Sequence, residues 1–468
     1  MGKFLIRLNE LIWGFPTLLL IVGVGIYLSV RLSFVQILLF PEALRRFVKQ
    51  LFGDRYSDDR SSFRSLCTAL AATVGTGNLV GVAGAICLGG PGTVFWMWIC
   101  GILGMVIKYA EALLAVRYQM KTEDGYVGGP MYMILQGLPG KLHFLAWLYG
   151  FFGMISAFGV GNATQINAAM TGIRSLSRAY GWNMSPLYML VITAALALLI
   201  GAMLFGGAKT VSCGAEMLIP FAAAGYILLC TGVLIARCQC IPGAFRSIVR
   251  GAFSPRAVTG GMIGSSFRAL RVGCSRGVFT NEAGMGTAAI AHAGAEGVHP
   301  VQQGLMGIIE VFLDTIVICT MTALVILVSG VPVPYGTDAG GMLTTSAFSQ
   351  VYGKSAVLWL TVAMTLFALA TVFGWGLYGA RCTQFLFGKK AWRYFAAAQI
   401  PTVFAGAFLE TSVIWQFSEA LNGLMAIPNL IALAILAPEA VRLTKEYKNP
   451  VSDTGGGNYA DFHQCKPL

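Results

Sequence analysis

The chain has 468 residues, of which 56% are hydrophobic and only 11% are charged. Soluble domains carry about 25% charged residues, so this composition excludes an ordinary soluble protein and indicates a chain that lies in a lipid bilayer. The net charge of +12 does not indicate nucleic-acid binding, because the basic residues lie mostly in short segments between apolar runs, as membrane topology requires.

Eleven segments of the sequence are apolar over roughly the 20 residues that a transmembrane helix needs. The first lacks a small-residue cleavage site, so we expect it to be retained rather than removed as a signal peptide. The predicted spans are 11–40, 67–90, 93–118, 144–173, 187–205, 211–236, 275–295, 303–330, 355–380, 393–409 and 412–438. The sequence therefore predicts an all-α polytopic membrane protein with about eleven transmembrane helices.

Two of these spans are rich in residues that weaken a helix. One is AATVGTGNLVGVAGAICLGGPG at residues 71–92, and the other is GVFTNEAGMGTAAIAHAGAEG at residues 277–297. Each begins a block of five spans, and because five is odd, the second block enters the membrane from the opposite side. The pattern predicts a 5+5 inverted repeat with one broken helix in each half, and such interrupted segments mark the binding site in secondary transporters.

The predicted organisation has five parts. They are the first span with a basic loop (1–66), the first five-helix repeat (67–236), a second basic loop (237–274), the second repeat (275–438) and a tail (439–468). The basic residues of 41–66 and of the tail favour an N-terminus outside the cell and a cytoplasmic C-terminus. The arginines of the second loop then lie outside, against that rule, and an interfacial amphipathic helix would tolerate them there.

A broken helix inside the membrane leaves backbone groups that hydrocarbon cannot satisfy, so it is tolerated only where it lines a cavity or packs in protein. The freed groups become ligands, with N–H donors at one half-helix end and carbonyls at the other. We expect Gly75, Thr76, Gly77 and Asn78 to donate N–H groups to the carboxylate of a zwitterionic amino acid, while carbonyls near Gly75 and around 280–284 accept from its ammonium group. Close helix packing is the alternative role for the glycines, but their paired occurrence favours a ligand site.

Polar residues in two other spans point to the same site. Gln165 is either a substrate contact or an interhelical hydrogen bond. Thr371 and Trp375 lie four residues apart and so share one helix face, where Trp375 either walls off the substrate side chain or only packs. The predicted ligands of a cation are Thr365, Thr371 and backbone carbonyls near Thr73 and Thr76.

Ionisable residues within spans are costly and are usually functional or paired. Glu282 is either a proton carrier or an anchor that caps the broken helix through backbone N–H groups, and we favour the anchor. We expect Asp314 to pair with an arginine from another span. Glu111 lies three residues from Lys108, which predicts an ion pair within one helix.

Three segments, VGTGNLVGVAGAICLGGPGTVFWMW, GMVIKYAEALLAVRY and RGVFTNEAGMGTAAIAHA, closely resemble the alanine or glycine:cation symporter family of bacteria and archaea. The resemblance covers nearly the whole chain. It implies the leucine-transporter-type inverted repeat with one additional span, and uptake of small neutral amino acids, usually with sodium. By motif it implies that two broken-helix segments bind the substrate, and their residues are Gly75, Thr76, Gly77, Asn78, Phe279, Thr280, Asn281 and Met285. Gln165, Thr371 and Trp375 look like the family's pocket residues. Two positions depart from the family, because Thr287 and Ala289 stand where members commonly have serine and proline.

We therefore expect a symporter of the prokaryotic cell (inner) membrane rather than an enzyme, with sodium as the co-transported cation and no other cofactor. Trp375 and Met285 suggest a small pocket, and hence alanine or glycine as the substrate imported by alternating access. The alternatives are a proton-coupled carrier, a carrier that prefers glutamine or serine, a channel, and a non-transporting sensor on the same fold.

Overall fold

The structure is a computed structural model, and it describes residues 15–53, 60–123, 125–337, 340–409 and 411–449. For residues 15, 340 and 411–419 it describes only the backbone. The described chain is mostly helical. It also contains one short antiparallel hairpin, in which Met120 pairs with Val127 and Thr122 pairs with Gly125.

Three helices precede the repeats, and they are α1 (Phe15–Arg31), α2 (Val35–Leu38) and α3 (Phe40–Phe52). The first predicted span, 11–40, is too long, because α1 ends at Arg31 and residues 11–14 lie outside the described part of the chain. After α1, Ser33 and Phe34 turn the backbone with φ angles of 53° and 52°. Residues other than glycine rarely adopt this left-handed conformation, so hydropathy alone did not reveal the turn.

The first repeat contains one helix broken by an irregular turn and one interrupted by a π-helical turn. Its elements are α4 (Arg60–Thr73), a π-helical turn (Gly77–Gly81), α5 (Val82–Gly89), α6 (Gly92–Arg117), β1 (Met120–Thr122), β2 (Gly125–Val127), α7 (Pro130–Gly137), a 3-10 turn (Gly140–Leu142), α8 (Phe144–Phe158), a π-helical turn (Gly159–Ala163), α9 (Thr164–Tyr180), α10 (Pro186–Phe205) and α11 (Gly207–Ala236).

The second repeat follows a short helical connection and again begins with a broken helix. The connection is a 3-10 turn (Cys238–Cys240), α12 (Ile241–Phe253) and α13 (Pro255–Thr259). The repeat consists of α14 (Ser266–Asn281), α15 (Thr287–His292), α16 (Pro300–Val311), a π-helical turn (Phe312–Cys319), α17 (Thr320–Val328), α18 (Gly340–Tyr352), α19 (Ser355–Phe387), α20 (Ala391–Phe408) and α21 (Thr411–Lys448).

The predicted count of eleven spans is not confirmed, although each predicted span falls on helix. Among the described residues, seven helices are long and apolar enough to cross a membrane, or eight if the bent pair Arg60–Thr73 and Gly77–Gly89 is one span. α1 is apolar but shorter. In the second half, residues 282–286 separate α14 from α15, so neither part alone has the length of a span. The multi-pass, broken-helix architecture is confirmed.

The second helices of the two repeats, α6 and α16, pack against each other in the middle of the protein. Two glycines of α16 permit this close approach. A Cβ atom on Gly307 would lie 2.6 Å from the Lys108 carbonyl oxygen, and one on Gly304 would lie 2.9 Å from the Tyr109 ring. Because a side chain at either position would collide with α6, the two glycines of α16 allow this close contact between the halves.

Candidate functional site

The first break lies between α4 and the π-helical turn, where the chain bends by 50°. Its turn closes on itself, since the Gly75 N–H donates to Asn78 Oδ1 at 2.9 Å and the Asn78 N–H donates to the Gly75 carbonyl at 3.3 Å. The Thr76 carbonyl accepts from Leu79 and Val80. Of the four N–H groups predicted to bind a carboxylate, those of Thr76 and Gly77 remain available, because they donate to no residue that the structure describes.

The same break leaves carbonyls open at the end of α4. In a continuous helix, the N–H groups of Thr76 and Gly77 would bond to the carbonyls of Ala72 and Thr73. Those bonds are absent among the described residues, so both carbonyl oxygens lack their helical donors. Of the two predicted carbonyl positions, Thr73 is thus available, whereas the Thr76 oxygen is already occupied.

The second break, residues 282–286, is held by backbone conformations that favour glycine. Gly284 and Gly286 have φ angles of 90° and 75°, and Glu282 has 53°. The N–H groups of Gly284 and Gly286 both donate to Glu111 Oε1 at 3.0 Å. Asn429 donates to the same Glu111 oxygen at 2.7 Å and to the Gly284 carbonyl at 2.9 Å. Glu111 of α6 therefore stabilises a turn that belongs to the other repeat.

This arrangement corrects the predicted contacts of Glu282. Glu282 does not cap the broken helix through backbone N–H groups, because Glu111 does so. The Glu282 oxygens instead accept from the Thr287 hydroxyl and from the Trp375 indole N–H, each at 2.7 Å. Glu282 is thus held by two side chains, and its role as an anchor stays a prediction. The departure from the family at Thr287 keeps a hydroxyl that serves this anchor.

The expected ion pair between Glu111 and Lys108 is also wrong. Lys108 Nζ lies 2.9 Å from Glu310 Oε1 on α16, and both side chains are fully buried. His292 contacts the second Glu310 oxygen at 3.1 Å and is bonded to Gln303 at 2.6 Å. The spacing within α6 did not predict the partners because the tightly packed α16 supplies a closer carboxylate.

Asp314 joins the two breaks through a chain of hydrogen bonds instead of pairing with the expected arginine. Asn78 donates to Asp314 Oδ1 at 2.7 Å, and Thr315 donates to Asp314 Oδ2 at 2.9 Å. Asn281, the last residue of α14, donates to the Thr315 hydroxyl at 3.0 Å. The first break also lies against the last turn of α14, since a Cβ atom on Gly77 would lie 3.5 Å from the Thr280 methyl group and 3.9 Å from the Phe279 ring.

Gln165 and Thr371 converge on the first break from two other helices. Gln165 Oε1 accepts from the Thr76 hydroxyl at 2.9 Å. Thr371 Oγ1 is buried, has no hydrogen-bond partner among the described residues, and lies 2.7 Å from the position of a Cβ atom on Gly75. Thr365 is not part of this group, because its hydroxyl donates to the Thr361 carbonyl one turn earlier in α19.

Trp375 and Met285 are fully buried on the side of the second break. The Trp375 ring packs against Gly161 of a π-helical turn, where no larger residue fits. Because its only ring N–H is bonded to Glu282, Trp375 offers apolar surface to its surroundings. Glu111 and Asn429, which support this region, were not predicted from the sequence. A signal was present, because Glu111 follows Asn78 by the same 33 residues that separate Asp314 from Asn281.

Comparison with known proteins identifies the chain. The family model described as the sodium:alanine symporter family matches residues 1–458. The chain belongs to the sodium:alanine symporter family. It is therefore a multi-pass membrane transporter of a sodium-coupled amino-acid symporter family, and not an enzyme.

Individual members of the family match this symporter over nearly its whole length. An uncharacterized transporter of Haemophilus influenzae is 40% identical over 95% of this chain and 96% of its own length. The sodium/alanine symporter AgcS of Methanococcus maripaludis is 39% identical over 94% of this chain and 95% of its own length. The crystal structure of MhsT in complex with L-phenylalanine matches with a TM-score of 0.55 at 12% identity, over 82% of this chain and 97% of MhsT. That similarity shows the fold, which is the predicted leucine-transporter type.

Gly75→Ala is expected to reduce the transport rate by at least tenfold, about 1.4 kcal/mol. The new methyl group would lie 2.7 Å from Thr371 Oγ1, so the turn or Thr371 must move. Gly81→Ala is the matched control, because a Cβ atom there meets no atom within 4 Å. Uptake by proteoliposomes, with the thermal unfolding midpoint as a check on folding, distinguishes the two. Equal uptake by the two variants would contradict the tight contact.

Proposed function

We propose that this symporter imports small neutral amino acids together with sodium by alternating access, and that the two contacting breaks form its binding site. One observation carries the proposal. The buried Thr371 hydroxyl, which lacks a partner among the described residues, lies beside a broken helix whose terminal carbonyls also lack their helical donors. Buried polar groups are normally hydrogen-bonded, so we expect these oxygens to bind a ligand.

Sodium fits the oxygens at the first break. It is a hard cation without strong directional preference, and hydroxyl and carbonyl oxygens suit such cations. The partial negative charge at the C-terminal end of α4 adds to the attraction. We assign the site to Thr371 Oγ1 and to the carbonyls of Ala72 and Thr73. Thr365 is excluded from the assignment because its hydroxyl is engaged within α19.

The substrate fits between the two breaks. The N–H groups of Thr76 and Gly77 lie at the positive, N-terminal end of the half-helix that follows the first break, and they would bind a carboxylate. The Thr280 carbonyl lacks its usual helical hydrogen-bond donor, because the Gly284 N–H bonds to Glu111 instead. That carbonyl would accept from the ammonium group. A zwitterionic amino acid then satisfies both broken helices without a charged side chain.

A small, neutral side chain suits the remaining predicted residues. Met285 and Trp375 are fully buried, and Gln165 is bonded to Thr76 and to the Val160 carbonyl. Trp375 has no N–H left for a polar side chain. We therefore favour alanine or glycine over glutamine or serine. Phe279 and Asn281 contribute through the contact and the hydrogen-bond chain that position α14 against the first break.

The linkage between the breaks supports alternating access. The contact between Gly77 and Thr280, together with the chain from Asn78 through Asp314 to Asn281, ties the two broken helices into one unit. Such a unit can rock against the remaining helices around a fixed site. Glu282 is held by two donors, which supports an anchor role rather than proton transfer. The orientation, with the N-terminus outside, rests on the positive-inside rule.

The driving force is sufficient without ATP. One sodium charge that crosses 100 mV supplies about 2.3 kcal/mol, and a tenfold sodium gradient adds about 1.4 kcal/mol. Together these terms support an inward substrate gradient of roughly 500-fold.

Thr371→Val tests the sodium assignment. Valine keeps the shape of threonine but removes the hydroxyl oxygen, so we expect the sodium concentration for half-maximal alanine uptake to rise at least tenfold, about 1.4 kcal/mol. Thr365→Val is the comparison, because it removes a hydroxyl from the same helix outside the assigned site. Its sodium dependence should stay within about twofold of the wild type.

The measurement is uptake of labelled alanine by proteoliposomes with imposed sodium gradients and voltage, with other amino acids as competitors. Uptake that depends on neither the sodium gradient nor the voltage would contradict sodium symport. An equal shift in the two threonine variants would reject the assignment of the site while leaving symport intact.

A further inference from the structure

The connection between the repeats carries a concentration of basic residues, and its own sequence contains no acidic residue. Between Glu216 and Glu282 the sequence contains seven arginines and no aspartate or glutamate. Six of the arginines are exposed in the structure, namely Arg237, Arg246, Arg250, Arg256, Arg268 and Arg271. We call these six residues the arginine surface.

Helix α12, at the centre of this surface, has three distinct faces. Ala244, Ile248 and Ala252 are at most 3% exposed and pack against the protein. An adjacent stripe, formed by Phe245, Val249 and Phe253, is 41–59% exposed although it is apolar. Arg246 and Arg250 follow Phe245 and Val249 by one residue, so at 100° per residue they border this stripe. A helix with neighbouring apolar and basic faces typically lies in the membrane interface.

Aromatic residues place the same helix at that interface. Phe253 contacts Phe95 and Trp96, with ring centroids 5.3 and 6.0 Å apart, and Phe245 lies 6.1 Å from Trp98. Tryptophan is enriched at the boundary between hydrocarbon and water. These tryptophans stand near the beginning of α6, where a spanning helix emerges from the membrane. In that position the apolar stripe of α12 would face acyl chains and the arginines would reach the headgroups.

The helix is also fixed rigidly to the transporter. A Cβ atom on Gly251 would lie 2.8 Å from the Gly92 nitrogen at the start of α6, so α12 and α6 touch through their backbones. From α12 the chain continues through α13 into α14, whose C-terminal end forms the second break. A ligand of the arginine surface therefore binds next to the helix that carries half of the candidate site.

We propose that the arginine surface binds the phosphate groups of anionic phospholipids and that this binding stabilises the folded transporter. Guanidinium groups match phosphate oxygens in geometry and charge, and the acid-free sequence leaves the positive charge available for an anionic headgroup. Zwitterionic lipids offer the same phosphate but carry a compensating positive charge. The proposal does not depend on which substrate is transported.

The test compares lipids added to the purified full-length protein in detergent. Phosphatidylglycerol is expected to raise the thermal unfolding midpoint by about 3 °C more than phosphatidylcholine does. Choline chloride at high concentration should reduce this difference, because salt screens charges near the surface. Equal effects of the two lipids would overturn the proposal. Inorganic phosphate that reproduces the full effect would overturn the lipid assignment in favour of a free-anion site.

Variants test whether the arginine surface causes the difference between the two lipids. Arg246→Gln with Arg250→Gln should lose at least half of the difference between the lipids, and Arg246→Lys with Arg250→Lys should lose less because the charge remains. The matched control is Arg178→Gln with Lys354→Gln, which removes two exposed charges outside the arginine surface and should retain the difference. Retention of the full difference in the arginine-to-glutamine pair, or an equal loss in the control, would overturn the proposal.

Discussion

Glu111→Ala is expected to abolish transport and to lower the free energy of unfolding by about 3–5 kcal/mol. One Glu111 oxygen accepts from the Gly284 N–H, the Gly286 N–H and the Asn429 side chain. Alanine would leave the N–H groups of Gly284 and Gly286 buried without a partner, and each unsatisfied group costs about 1–3 kcal/mol. Asn429 would lose one of its two acceptors and keep the Gly284 carbonyl. The second break would then lose the contact that holds its glycines in their left-handed conformations.

Glu111→Gln separates hydrogen bonding from charge. The amide keeps one acceptor oxygen at the same place, so we expect its thermal midpoint to fall less than that of Glu111→Ala. Glu123→Gln, at an exposed acid that pairs with Lys389 at the surface, controls for the loss of a carboxylate. The measurements are the thermal unfolding midpoint in detergent and alanine uptake in proteoliposomes. A Glu111→Ala protein that unfolds at the wild-type temperature would contradict the role given to Glu111.

Lys108→Met is expected to be nearly as harmful, with a loss of about 3–5 kcal/mol. The Lys108 ammonium lies 2.9 Å from Glu310, and neither side chain has any exposure. Methionine fills a similar volume but leaves the buried Glu310 carboxylate with His292 as its one remaining partner among the described residues. The expected result is a lower thermal midpoint and loss of folded protein after solubilisation.

The double variant Lys108→Met with Glu310→Gln distinguishes an unpaired charge from a general packing defect. It removes both charges, so it should recover much of the stability lost in Lys108→Met, because exchanging both members of a buried pair costs less than breaking it. A double-mutant cycle on thermal midpoints measures this coupling. Additive losses would show that the two residues do not stabilise each other.

The sequence was sufficient to predict the breaks but not their supports. Glycine clusters in apolar segments locate the irregular backbone, because hydrocarbon tolerates such segments only inside the protein. The repeat spacing then placed one break in each half. Which group satisfies each freed N–H depends on how helices distant in sequence pack. Glu111 was for this reason assigned to its sequence neighbour Lys108, whereas the structure places it against Gly284 and Gly286.

Local patterns also could not separate side chains that point into the site from those that bond within their own helix. Thr365 and Thr371 both lie in α19 and are of the same type. Only the packed structure shows that the Thr365 hydroxyl donates to Thr361 while Thr371 faces Gly75. Similarly, the length of the first span was overestimated because the turn at Ser33 and Phe34 uses residues that seldom adopt positive φ.

The exchange of acids between the repeats makes each half incomplete by itself. Glu111 in the first half finishes the turn of the second, and Asp314 in the second half holds Asn78 of the first. A substitution at either acid therefore acts across the repeat boundary, because the hydrogen bonds that it removes belong to the broken helix of the other half.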